Sequence, residues 1–239
     1  TSTSYKDSNI SISIAEKRYY DTNVYIVDIT LSSIDYLRTA FAKDTYGKNI
    51  KETTSAIAEN NNAILAINGD YYGFRNYGFV LRNGVLYRSF SNSKDDLVIY
   101  ENSSFEIIDE DNTDANDLVE NRALQVFSFG PALINNSEIV VGENDEVDMA
   151  KTSNPRTAIG IIDNLHYVFI VSDGRTSDNE GLTLYQLAKI FEIEGCSVAY
   201  NLDGGGSSTL WFNGEVINNP TDGTNSGERS VSDIVYIGY

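Results

Sequence analysis

The sequence predicts an α+β fold: a single β-rich domain with a mixed, twisted sheet, several hairpins and two or three helices. Three observations carry this. Short apolar runs recur on either side of polar turns, the pattern of antiparallel hairpins. One segment, 183–194, has a helical apolar period with a start and a stop signal. The 239 residues contain no internal repeat and no linker-like boundary, and β-rich folds of this length are commonly one domain.

The elements follow in order. Residues 1–8 are polar and read as a frayed terminus or linker. Ile10, Ile12 and Ile14 alternate with serines, the period of a half-buried strand. Residues 24–29 are apolar except Asp28, so this strand is expected to be buried on both faces. Residues 49–60 read as a short helix ending in three asparagines, which tolerate the left-handed conformation of a helix stop. An apolar strand, 63–67, then runs into Asn68-Gly69-Asp70.

Four hairpins come next. Phe79–Arg82 and Val85–Arg88 flank Asn83-Gly84, and Trp211-Phe212 and Glu215–Ile217 flank Asn213-Gly214, the strongest short-range hairpin signal. Ala158–Ile162 and Leu165–Val171 flank Asp163-Asn164. Ala132–Ile134 and Ile139–Val141 flank residues 135–138. Residues 109–121 are acidic and read as a solvated loop; the sharper alternative, a calcium loop, lacks the EF-hand pattern. In 183–194, Thr183 and Gln186 form a capping-box pair, Leu184, Leu187, Ala188 and Phe191 share a face, and Gly195 supplies the stop. Residues 197–202 form a strand, 221–229 a polar loop and 231–239 the closing strand. A helix between two strands could add a parallel crossover.

Composition removes several functions. The chain has 35 acidic and 17 basic residues, a net charge of −18. That argues against a nucleic-acid groove or an anionic lipid surface. No apolar run is long enough to span a bilayer as a helix. A single cysteine, Cys196, rules out an intrachain disulfide and a cysteine-based zinc site. A single histidine, His166, lies mid-strand and reads as a surface or satisfied core residue. Chemistry is therefore expected from Asp, Glu, Arg, Ser, Tyr or backbone amides. The chain begins at Thr1 without Met, so an upstream signal, anchor or tag is expected to have been removed. The acidic balance, with abundant Asn, Ser and Tyr, points to an extracellular or cell-envelope protein, a cytoplasmic location being the other possibility.

Scarce cations mark candidate sites. Arg156, Arg175 and Arg229 all occupy turn-like contexts at strand ends. Each could fork onto a phosphate or carboxylate, or pair with a surface acid. Lys151 lies nearby in sequence. Asp203-Gly204-Gly205-Gly206-Ser207-Ser208 follows an apolar strand. Three glycines allow close approach of a ligand or another backbone, and their amides with the two serines could cradle an anion. Asp173 and Asp203 each end a strand before glycine. They could act as acid, base or nucleophile on a sugar, hold a divalent cation, or simply make turns. Tyr71 and Tyr72 could form a sugar-stacking rim. Cys196 reads as a small buried hydrophobe.

These motifs together resemble the phosphodiester glycosidase family. The residues that carry the resemblance are Ala66–Gly69, Gly130–Leu133, Asn154–Gly160, Ser172–Arg175 with Gly181–Leu184, Asn201–Thr209 and Arg229–Asp233. It covers about 24–239, leaving 1–23 as an N-terminal extension with the first strand. The resemblance implies hydrolysis of a sugar-1-phosphodiester at the sugar C1–O bond, giving free sugar and a phosphomonoester. The characterised activity of the family removes α-linked N-acetylglucosamine. It implies Asp203, Asp173, Arg156 and Arg175 as catalytic residues, and Asn68, Gly69, Gly204–Gly206, Ser207, Ser208 and Arg229 as substrate-binding ones. Asp70 stands where many relatives have a small residue, which makes it a candidate for tuning specificity. No cofactor is required on this reading, a divalent cation such as calcium remaining open. The partner is a small sugar phosphodiester or a glycan terminus, and the oligomeric state is open. Two other readings stand beside it: a non-catalytic carbohydrate- or envelope-binding domain, and a metal-assisted phosphodiesterase cutting the P–O bond.

Overall fold

The computed structural model describes residues 3–145, 153–223 and 225–239. Lys151 and residues 1–2 lie outside the described residues. The fold is β-rich and built around one central apolar core.

An eight-stranded sheet forms one wall. Its order is Ser4–Lys6, Ile10–Tyr19, Thr22–Leu31, His166–Ser172, Thr157–Asp163, Val198–Asn201, Ala132–Asn135 and Glu138–Ile139. A five-stranded sheet runs Val85–Arg88, Val80–Arg82, Ala123–Phe127, Asp95–Tyr100, Phe105–Asp109. Another runs Glu215–Val216, Leu210–Phe212, Leu65–Asn68, Asp233–Ile237, Leu37–Phe41. Side chains from all three meet in the core, among them Val27 and Phe169, Leu97 and Phe127, and Ile67, Leu210 and Val235. Each sheet carries a helix on its outer face. The first, α1 (Thr54–Asn60), covers Ala66, Trp211 and Ile234; α2 (Ala115–Glu120) covers Leu81, Val98 and Val126; α3 (Leu184–Ile193) covers Ala158, Val168 and Ile170.

The four hairpins expected from the turns are present. Thr22–Leu31 is buried on both faces, with Tyr25, Val27 and Ile29 in the central core and Val24 and Ile26 against α3. The Thr183–Gln186 capping box forms as read, and burial pushes the Cys196 thiol up to about 12, consistent with a packed hydrophobe. His166 contacts Asp28 across the strands at 2.8 Å.

Three expectations are corrected. The helical crossover does make His166–Ser172 and Val198–Asn201 parallel in direction, but Thr157–Asp163 lies between them and pairs antiparallel with both. Each described hydrogen-bonded pair is therefore antiparallel, and the sheet is not mixed in that sense. The polar start is a strand: Ser4–Lys6 pairs with Ile10–Tyr19 across a turn in which Asp7 accepts from the amides of Asn9 and Ile10. Tyr5 and Tyr239 also donate to Asp7, so polar contacts fix what lacks apolar ones. The described part of the expected N-terminal extension thus contributes to the main sheet, with Ile10 and Ile12 buried in the core. Finally, 109–121 is not a bare loop. Asp114 caps α2, whose Ala115 and Leu118 are buried, and Asp109 caps the preceding single turn. Two apolar residues at helical spacing suffice there because the neighbouring sheet supplies the complementary face.

Candidate active site

A cavity of about 250 Å³ opens where the eight-stranded sheet meets the Leu65–Asn68 sheet. Asp70, Tyr71, Phe74, Asp203, Ser207 and Arg229 line it, with Lys51 and residues 230–232. Three strand ends converge there. Asp203 follows Val198–Asn201, Asp70 follows Leu65–Asn68, and Arg229 precedes Asp233–Ile237.

Asn68 stitches these ends together. Its amide donates to the Asp203 carbonyl at 2.6 Å, and its side-chain oxygen accepts from the Thr157 hydroxyl at 2.7 Å and the Thr209 amide at 3.2 Å. The Asp203 amide donates to the Gly69 carbonyl at 3.2 Å. The side-chain groups of Asn68 thus serve to position the site. Gly69 is required by close packing: a Cβ there would lie 2.6 Å from an Asp233 carboxylate oxygen.

The glycine run serves the same purpose three times. A Cβ on Gly204 would sit 2.9 Å from the Pro155 carbonyl, on Gly205 2.8 Å from the Arg175 guanidinium, and on Gly206 2.7 Å from that of Arg229. Gly205 also has φ of +62°, a region costly for other residues. The expected anion-cradling role of the amides is reduced. The Gly204 amide donates to the Asp203 carboxylate at 3.0 Å, and that of Gly205 to the Pro155 carbonyl at 2.9 Å. What the glycines permit is the approach of two guanidiniums to the turn.

Asp203 is almost wholly buried, and burial raises its pKa to about 6, with the negative charge of Asp70 adding to the rise. Hydrogen bonding from Ser207 and the charge of Arg229 pull the other way. Arg229 forks onto Asp222 at 2.6 and 3.1 Å, which orients it beside Gly206. Arg156 lies behind, its Nε donating to the Leu182 carbonyl at 2.8 Å; burial, then the nearby charge of Arg175, lowers its pKa to about 10. Arg175 donates to the Asn154 side chain at 3.0 Å.

Asp173 does not line this cavity. Its oxygens accept from the Asn219 amide at 2.8 Å, the Asn219 side chain at 3.2 Å and the Tyr25 hydroxyl at 3.3 Å. The strand it ends is separated by one strand from that of Asp203, a spacing of about 9–10 Å. The other acid lining the cavity with Asp203 is Asp70. Ser208 is buried beneath the turn, and its hydroxyl has no hydrogen-bond partner among the described residues. The aromatic rim is Tyr71 stacked on Phe74 at 4.8 Å; Tyr72 is buried instead, stacked on Tyr46.

Beneath Asp70 lies a buried ionic network. Arg82 pairs with Asp233 at 2.8 Å and Asp70 at 3.5 Å, and its guanidinium packs 4.4 Å from the Phe127 ring centre. Asp70 also accepts from the amides of Tyr71 at 2.6 Å and Ser128 at 2.8 Å. Burial raises the Asp233 pKa to about 6 against the pull of Arg82. Nearby, burial and then the charge of Glu110 hold Asp96 well above the ordinary range. Among the described residues no cluster of three or more His, Cys, Asp or Glu has the arrangement of a metal site.

Lys51, Phe74, Ser230 and Ser232 are cavity residues that the sequence reading missed. The two serines lie inside Arg229–Asp233, a motif already singled out, so they were within reach. Lys51 sits in no motif.

The family model described as phosphodiester glycosidase matches residues 61–238. The chain belongs to the phosphodiester glycosidase family. Among curated phosphodiester glycosidase relatives and others, it is 31% identical over 202 residues to the SPbeta prophage-derived uncharacterized protein YomE of Bacillus subtilis (strain 168), covering 81% of this chain and 31% of that one. It is 30% identical over 115 residues to N-acetylglucosamine-1-phosphodiester alpha-N-acetylglucosaminidase of Homo sapiens, covering 43% of this chain and 22% of the human protein. The chain thus spans less than a third of either relative. In fold it is similar to the auto-inhibited catalytic domain of the zebrafish N-acetylglucosamine-1-phosphodiester alpha-N-acetylglucosaminidase, with a TM-score of 0.76, 24% identity and coverage of 100% of this chain and 84% of that one.

Two substitutions probe the buried acids. Arg82→Met leaves Asp70 and Asp233 without their countercharge and is expected to cost about 3–5 kcal/mol, read as a lowered urea midpoint. Asp96→Asn acts oppositely. The folded chain keeps a proton on Asp96 that the unfolded chain releases above the ordinary 3.8, so stability is lost as pH rises from there through the raised value. The variant is expected to have a higher Tm at pH 8, by about 2–4 °C for each kcal/mol relieved, and a flatter decline with pH. An unchanged pH dependence would count against a neutral Asp96.

Proposed function

We propose that this chain hydrolyses a sugar-1-phosphodiester at the C1–O bond, with α-linked N-acetylglucosamine as the sugar. The observation that carries this is a buried carboxylate, Asp203, in a small cavity whose other walls supply cations and stacked aromatic rings. Family membership supports the reaction class. The names of the human and zebrafish relatives support the sugar.

The chemistry asks little of a general acid. A phosphate monoester is a good leaving group, its second pKa being near ~6. Water supplies a hydroxyl to C1 and a proton to the phosphomonoester. Asp203, in its ionised form, deprotonates that water or itself attacks C1. Arg229, Lys51 and the Ser207 hydroxyl meet the phosphate as its charge grows. Arg175 and Arg156 stand behind the glycine turn and add positive potential. Asp173 holds the loop that reaches Asn219, and Asp70 raises the pKa of Asp203 while carrying the rim tyrosine. Tyr71 and Phe74 stack on the sugar. Water and this chain's own side chains suffice for these steps. An extracellular or envelope location suits the acidic chain and a cell-wall or capsule phosphodiester as substrate.

Asp203→Asn is expected to fold normally and to lose nearly all release of free sugar from nucleotide-linked N-acetylglucosamine. Wild-type kcat/KM should climb with pH and level off above an inflection near the value of about 6 set for Asp203. Detection of sugar-1-phosphate as the product, or wild-type turnover by Asp203→Asn, would overturn the assignment. Arg229→Ala should raise KM by about tenfold, the loss of one charge-assisted contact.

A further inference from the structure

Asparagine is followed by glycine at Asn68-Gly69, Asn83-Gly84 and Asn213-Gly214. This dipeptide carries a reactivity of its own. The glycine amide nitrogen, on losing its proton, attacks the asparagine side-chain carbonyl carbon. A cyclic succinimide closes, and the side-chain nitrogen leaves as ammonia with protons from water. Water then adds across one of the two ring C–N bonds and opens it, giving aspartate or the β-linked isoaspartate. The net change is one water in and one ammonia out, with no oxidant or cofactor. Glycine is the fastest successor because no Cβ crowds the attacking nitrogen. What sets the three pairs apart is how the fold holds the two reacting groups.

At Asn68-Gly69 both groups are taken. Asn68 is wholly buried, its side-chain nitrogen and oxygen bonded to Asp203, Thr157 and Thr209, and the Gly69 amide donates to the Asp233 carbonyl at 2.9 Å. At Asn83-Gly84 they are taken again. The Asn83 side-chain oxygen accepts from the Gln125 side chain at 2.8 Å and the Thr39 amide at 3.3 Å, and its nitrogen donates to the Thr39 carbonyl at 2.9 Å. The Gly84 amide donates to the Leu124 carbonyl at 2.9 Å. Asn213-Gly214 repeats this turn without the restraints. Its φ angles of 49° and 96° suit a type I′ turn, as do the 49° and 80° of Asn83-Gly84. The Asn213 backbone is fixed, its amide donating to the Ile64 carbonyl at 2.9 Å. Its side chain is exposed and makes no hydrogen bond among the described residues, and neither does the Gly214 amide. Beyond the adjoining residues, no described atom lies within 4 Å of the place a Gly214 Cβ would take.

We propose that Asn213 is a self-modification site: in the folded protein it converts to aspartate and isoaspartate, with water as co-reactant, while Asn68 and Asn83 are shielded. The shielding falls where conversion would do harm. Asn83 ties Leu37–Phe41, at the edge of one five-stranded sheet, to Val80–Arg82 and Ala123–Phe127 of the other through Thr39 and Gln125. Asn68 holds the Asp203 carbonyl with the very amide group that conversion would remove. At Asn213 the two products differ in effect. Asp-Gly also suits a type I′ turn, so the aspartate form keeps the hairpin. The isoaspartate form adds a backbone atom to a two-residue loop, which frees Glu215–Val216 from its pairing with Trp211 and Phe212.

The test needs only the wild-type chain. One portion is kept folded at mildly alkaline pH and physiological temperature, and a second is kept in concentrated urea at the same pH. Samples are digested at intervals, and the three Asn-Gly peptides are followed by mass spectrometry for the amide-to-acid mass increase, with isoaspartate identified by electron-transfer fragmentation. In the folded portion the Asn213 peptide is expected to gain both acid forms. Asn68 and Asn83 react only when the chain opens around them, so both should lag Asn213 by about tenfold or more. In urea the three peptides should react at similar rates, because the shielding is a property of the fold. An Asn213 peptide that stays an amide in the folded protein overturns the proposal. So does an Asn68 or Asn83 peptide that keeps pace with it there, or an Asn213 lead that persists undiminished in urea.

Discussion

The buried Arg82 guanidinium, held between Asp233 and Asp70, is the constraint on which the rest of the site depends. Arg82 belongs to one five-stranded sheet, Asp233 to the other, and Asp70 to the turn that enters the cavity. Breaking it would strand two carboxylates in an apolar interior, a far larger penalty than the pair's net contribution when intact. The network therefore fixes how the two sheets meet. It also fixes the backbone at Asp70, whose amide donates to Asp233 at 2.9 Å while its carboxylate accepts from Tyr71 and Ser128. Gly69 is glycine because Asp233 leaves no room for a side chain.

From that point the electrostatics of the cavity follow. Burial makes Asp203 keep its proton to higher pH than usual, and the negative charge of Asp70 adds to that. The cations that would balance a phosphate cannot come from the floor. Arg229 supplies one from the cavity wall, and Arg175 stands behind the glycine turn, which is bare enough for both to lie against it. A strongly acidic composition is thus compatible with a site for an anionic ligand, because Lys51 and Arg229 line the cavity and Arg175 packs on the glycine turn.

Much of the fold was legible because its signals are local. Asn83-Gly84 and Asn213-Gly214 set hairpins by turn geometry alone, and Thr183 with Gln186 starts a helix by bonds within four residues. The errors fell where a distant partner decides. Ser4–Lys6 has no apolar pattern, yet it pairs because Tyr239, at the other end of the chain, meets Asp7. Residues 115–120 are helical because a sheet presents an apolar surface to Leu118. In the site, Asp203 and Arg229 were readable from their motifs, and both line the cavity. Asp173 carries the same local signature, an acid between a strand and a glycine, but its oxygens are taken up by Tyr25 and Asn219.

The opening prediction of a β-rich α+β domain was thus settled by the sequence itself, since turn residues, caps and apolar period act over a few neighbours. So was membership of the family, through strings such as Asn201–Thr209. The tertiary structure alone decided which acid shares the cavity with Asp203, because that depends on strand order: one intervening strand takes Asp173 away, and the junction of two sheets brings Asp70 in. It alone decided that three glycines serve to admit arginines, since the reason for an absent side chain lies in whatever occupies the space. And it alone gathered Tyr46, Tyr72, Tyr77, Tyr87 and Phe90, scattered over 45 positions of sequence, into one groove.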